Sequence, residues 1–83
     1  MAVRLHPHAR ARIEERGVTA EEVQATVERG EQMPAKFGRT GFRRNFPSCG
    51  VWRGKQYGTK QVEVYAVPEE TDWLVITVIA RFF

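Results

Sequence analysis

The chain is poor in the residues that staple or metallate small proteins. It has one cysteine, Cys49, and two histidines, His6 and His8, in 83 residues. A lone thiol excludes an intrachain disulfide and a thiolate metal cage. It also suits a reducing compartment, so the sequence predicts a cytoplasmic protein. His6-Pro-His8 has no nearby carboxylate or thiol, too few ligands for a metal site. Neither a Gly-Lys-Ser/Thr loop nor a G-x-G-x-x-G pattern occurs, and no cofactor is expected. No apolar run approaches the roughly 20 residues of a membrane span, and the first residues contain no signal-like stretch. No membrane partner is therefore expected. The length predicts one domain over residues 1–83.

Acidic residues are missing where basic ones collect. The net charge is +3, but residues 32–62 hold Lys36, Arg39, Arg43, Arg44, Arg53, Lys55 and Lys60 and no carboxylate. The same stretch carries Phe37, Phe42, Phe46, Trp52 and Tyr57, five of the nine aromatics. Cations interleaved with rings suit nucleic acid: ammonium and guanidinium groups neutralise phosphates, and exposed rings stack on unpaired bases. The plainer alternative is a strand whose rings enter the core while its cations solvate the outer face.

Local signals place two helices first. Pro7 fits a first helical turn, and His8 to Arg16 is a run of helix formers closed by Gly17. Thr19 and Glu22 form a capping-box pair flanked by Val18 and Val23, and Gly30 ends the second helix. Val62–Val67 and Trp73–Arg81 read as strands around a five-residue loop, Pro68–Asp72. Strict alternation along the last strand puts Leu74, Ile76, Val78 and Ala80 on one face. Trp73, Val75, Thr77, Ile79 and Arg81 take the other. Further strands are expected near Phe42–Phe46 and Val51–Tyr57, with their order open. The predicted fold is α+β: two N-terminal helices packed on one face of a three- to four-stranded antiparallel sheet.

His8, Arg12 and Arg16 are spaced by four and share one helical stripe, with Glu15 placed to pair with Arg12. The stripe belongs to a longer motif, His8-Ala-x-x-Arg12-Ile-x-x-Arg16-Gly17-Val18-Thr19-x-x-x-Val23, followed by Gly30-Glu31. This motif, with the late strand Val75–Ile79 and Arg81 behind it, resembles the small bacterial and archaeal domain-of-unknown-function family 4258. That resemblance implies no established activity. The helix–helix–sheet order looks more distantly like the RelE-type ribonuclease toxins, an analogy of fold alone. It implies His8 as a candidate acid or base, arginines as phosphate clamps, and an antitoxin-like protein partner.

Metal-independent RNA cleavage needs a base, an acid and cations on the developing charge. The catalytic candidates are His8, Arg12, Arg16, Thr77 and Arg81. The nucleic-acid-binding candidates are Lys36, Arg39, Arg43, Arg44, Arg53, Lys55 and Lys60. The same residues suit binding of RNA or a ribosome without catalysis. A protein-binding adaptor is the third reading, and whether the chain is an enzyme stays open. One premise underlies the nucleic-acid readings: the mid-chain cations and the helical ridge occupy a common face. Cys49 reads as a small apolar filler. Oligomeric state is not legible.

Overall fold

The computed structural model describes residues 2–47 and 51–83, with only the backbone of Val51 and Trp52. The reading of Cys49 and of the Trp52 ring lies outside the described residues. The elements in chain order are β1 Val3–Leu5, α1 Pro7–Arg16, α2 Ala20–Arg29, β2 Glu31–Pro34 and β3 Thr40–Pro47. They continue with β4 Val51–Trp52, β5 Lys55–Gln56, β6 Thr59–Glu69 and β7 Asp72–Phe82.

The α+β class holds, but two parts of the sequence reading change. The sheet has five strands in the order β1-β7-β6-β3-β2 and is mixed, because β1 runs parallel to β7. The helices are not N-terminal, since β1 precedes them. Three residues of β1 are too few to show a period, and their partners lie some seventy positions away, at Trp73–Val75. The expected strand at Val51–Tyr57 is a separate two-stranded hairpin, β4–β5. Arg53 and Gly54 turn it with φ of 52° and 78°, the positive pair of a two-residue hairpin turn. The loop after β6 is also shorter than expected, because the strands run on to pair Glu69 with Asp72.

The helix boundaries follow from local chemistry. His6 is the N-cap of α1: its Nδ1 accepts from the His8 backbone N–H at 3.1 Å. Gly17 closes α1 at φ 68°, and the Val18 N–H reaches back to Ile13 O at 2.9 Å. Thr19 and Glu22 complete the capping box of α2, with bonds of 3.1 and 2.9 Å. Gly30 follows α2 because there is no room for a side chain. A Cβ there would sit 2.4 Å from Thr26 O and 2.8 Å from Arg43 O, both backbone atoms.

Both helices cover one face of the sheet, α1 over β7 and β1, α2 over β6 and β3. Ala9, Val18, Val23 and Val27 meet Phe42, Val62, Val64, Ala66, Val75 and Val78 in one core. Trp73 packs against it, edge-on to Phe42 with centroids 5.1 Å apart. A bulge interrupts β7. Tyr65 pairs with Thr77 but Ala66 pairs with Val75, leaving Ile76 as the extra residue. The bulge turns both Val75 and Val78 to the core, which strict alternation forbids. The predicted faces are thus kept from Thr77 onward and exchanged before the bulge. Past it, Thr77, Ile79 and Arg81 share the face without helices, with Gln61, Glu63 and Tyr65 of β6 and Gly41, Arg43 and Asn45 of β3.

Candidate nucleic-acid interface

The uncovered face is organised around Glu63. This carboxylate is 6% exposed although no helix lies above it. Neighbouring side chains shield it. Arg81 Nη1 donates to its Oε1 at 2.9 Å, and the Tyr65 hydroxyl donates to its Oε2 at 3.0 Å. Arg43 is its partner across the β3–β6 ladder and also pairs with Glu31 at 2.9 Å. Burial, first, then the hydrogen bond to Glu63 and the charge of Glu63, raise the Tyr65 phenol above its ordinary 10.0. Arg81 and Arg43 pull in the opposite direction.

Beside this cluster lies a groove of about 420 Å³. Met33, Tyr65, Thr77 and Ile79 make its floor, and the β2–β3 loop makes its wall with Lys36, Phe37 and Arg39. The loop is closed by Arg39 N–H on Lys36 O at 3.3 Å and Ala35 N–H on Arg39 O at 3.2 Å. Its central residues are Phe37 and Gly38, at φ 61° and 70°. Such a turn favours Asn, Asp or Gly at both places, and a bulky aromatic there is strained. Phe37 is nevertheless 88% exposed, so burial of its ring does not offset the strain. Lys36 and Arg39 have no carboxylate partner among the described residues.

The other binding candidates are scattered. Arg43 is on the uncovered face, but Arg44, its neighbour, points to the helix side and lies 5.1 Å from the centroid of the Phe46 ring. Arg53 reaches from the β4–β5 turn to Glu15 O at 3.2 Å. Lys55 lies 5.6 Å from the Tyr57 ring centroid on the same hairpin side. Lys60 is spent inside the fold: its Nζ bonds Glu22 at 2.6 Å and the carbonyl of Gly17, tying β6 to the helix turn. The premise of a common face therefore fails: Lys36, Arg39 and Arg43 belong to the uncovered side, whereas Arg44, Arg53 and Lys60 lie toward the helices that carry the ridge. Alternation and a hairpin excursion distribute what the chain concentrates.

The catalytic candidates also part. Thr77 and Arg81 are together on the uncovered face, as their spacing implied. His8, Arg12 and Arg16 ride on α1, across the sheet from them. Arg12 pairs with Glu15 at 2.9 Å, and Arg16 donates to the Val78 carbonyl at 2.6 Å on the outer edge of β7. That bond protects a strand edge that β1 leaves unpaired beyond Val75. His8 is exposed, and its imidazole has no hydrogen-bond or ion-pair partner among the described residues.

Glu63 and Tyr65 are the residues that sequence reasoning missed. A signal was present in Gln61-Val-Glu-Val-Tyr65, where polar residues alternate with valines and so share a face. What no local pattern shows is Arg81 lying against Glu63.

No curated protein and no solved structure matches the chain. The model of one family, described as a domain of unknown function (DUF4258), matches residues 5–80, nearly the whole chain, and the protein belongs to that family.

Proposed function

We propose that the protein binds single-stranded nucleic acid, RNA in the first place, on the uncovered face of its sheet. Phe37 carries the reading. A large ring in a strained backbone conformation, left in solvent between two cations that have no carboxylate partner among the described residues, matches a stacking platform with phosphate contacts on both sides. Tyr65 extends the aromatic surface along the floor, and Arg43 and Arg81 lie farther along the same face, each paired with a carboxylate, Glu31 and Glu63. The role is binding rather than cleavage. His8 is the imidazole among the catalytic candidates, the side-chain type that general acid–base chemistry uses most often. The sheet separates it from Thr77 and Arg81, so the proposed catalytic set has no common centre.

Fluorescence anisotropy with a labelled ten-nucleotide RNA tests this. Affinity should fall steeply between 50 and 200 mM salt, because phosphate contacts release counterions. Removing the Phe37 ring should cost roughly 1–3 kcal/mol of binding. An RNA that shows no association at low salt defeats the proposal.

A further inference from the structure

We infer that the groove beneath Phe37 is a subsite for one nucleotide, in which the half-buried Thr77 hydroxyl contacts the edge of the base. The inference rests on the RNA-binding reading and deepens it.

Size sets the first limit. About 420 Å³ lies at the small end of the range for small-molecule sites, so one planar group and its sugar fill it. Chemistry sets the second. Met33 and Ile79 give an apolar floor, Tyr65 adds an aromatic one, and the exposed Phe37 ring stands at the wall. A nucleobase is flat, apolar on its faces and polar at its edge, and this lining suits its faces. Lys36 and Arg39 sit on the same wall with no carboxylate partner among the described residues, and an anionic ligand group complements them. The polar edge of a base needs a partner. Thr77 is half-buried at the floor and its hydroxyl has no hydrogen bond among the described residues. It can donate or accept, so it serves either kind of edge. The neighbouring Glu63 holds the Tyr65 hydroxyl, which orients that ring before any ligand arrives.

Gly41 contributes by having no side chain. A Cβ there would come within 3.0 Å of Met33 Cγ and 3.2 Å of Tyr65 Cε1, and would push both floor residues. The short contacts show that the floor is already closely packed from below.

The experiment titrates the full chain, followed by NMR, with the four nucleoside 5′-monophosphates, ribose 5-phosphate and inorganic phosphate, alongside the ten-nucleotide RNA. At least one nucleotide should bind about tenfold or more tighter than ribose 5-phosphate, given the size of base stacking. Phe37→Ala should remove that advantage. Thr77→Val, which keeps the side-chain shape, should narrow the spread among the four bases while leaving the binding of ribose 5-phosphate unchanged. Equal affinity for the nucleotides and ribose 5-phosphate overturns the subsite. RNA binding without any mononucleotide binding also overturns it, and leaves the broader reading standing on other parts of the face. If neither binds, both fall.

Discussion

The two faces of one sheet are built from the same strands yet meet different demands. Toward the helices, β6 presents Lys60, Val62, Val64 and Ala66, and the three apolar residues are fully buried. Toward solvent the same strand presents Gln61, Glu63 and Tyr65, a chain of hydrogen-bonding groups. Arg43 and Arg44 show the principle at its smallest scale: adjacent in sequence and identical in chemistry, they fall on opposite sides. Charge density along a chain is therefore not charge density on a surface. Strand parity halves it, and partners such as Glu22 remove more.

The largest effect should come from the covered side. Val64 is fully buried between β3, β7 and α2. Val64→Ala should cost about 2–3 kcal/mol, the transfer term plus a partly collapsed cavity. Urea unfolding measures it. A loss below about 0.5 kcal/mol would mean that this face is not the tightly packed one.

A matched pair of lysines sharpens the contrast. Lys60 and Glu22 have side chains 13% and 21% exposed, so their pairing is only weakly screened by solvent. Lys60→Ala should cost about 2 kcal/mol by leaving the Glu22 carboxylate without its cation and Gly17 O without the lysine donor. Its effect on RNA affinity should be slight once the fold is held intact. Lys36→Ala should do the reverse, with stability within about 0.5 kcal/mol of the parent and weaker, less salt-dependent binding. If both variants lower RNA affinity equally at 10 °C, the division of labour between the faces is wrong.

Phe37 offers a test of opposite sign. Asparagine tolerates the left-handed conformation that phenylalanine resists. Phe37→Asn should thus stabilise the fold by about 1 kcal/mol while weakening RNA binding. A raised melting temperature together with lost affinity would show strain retained for a ligand. A stability loss would show instead that the ring supports the loop.

How much of this was legible depends on how local each cause is. The helix ends were readable because Gly17 and the Thr19–Glu22 box act within a few residues. The long strands were readable by composition, since β6 and β7 are rich in valine, isoleucine and aromatics. β2 was not: Glu-Gln-Met-Pro carries no strand signal and pairs only because the loop after it folds back. The bulge at Ile76 has no marker in the sequence, and it decides which residues of β7 join the core. At the site, Lys36, Arg39, Thr77 and Arg81 were all named from the sequence. Their environments were not, because Glu63 under Arg81 and Tyr65 beneath the loop are contacts between strands. The helical ridge misled for the same reason. Spacing establishes that His8, Arg12 and Arg16 are neighbours, but the layer they occupy is a tertiary fact.

The smallest effect concerns protons on the uncovered face. Tyr65 titrates above 10.0 in the folded chain, chiefly because burial disfavours phenolate and secondarily because Glu63 accepts its hydrogen bond and repels the anion. In the unfolded chain the phenol returns to its ordinary range. Below pH 10 both states hold the proton and the stabilising difference is fully present. As pH rises past 10 the unfolded state loses its proton first, so stability falls until the folded phenol also ionises. Tyr65→Phe has no proton to lose and should show a shallower alkaline decline, with less ultraviolet phenolate absorbance appearing above pH 10. The variant also frees Glu63 Oε2, and a modest loss of stability at pH 7 should accompany the flatter slope. Parallel alkaline slopes in parent and variant would show that the phenol is not held against Glu63, and the preformed orientation of the groove floor would lose its support.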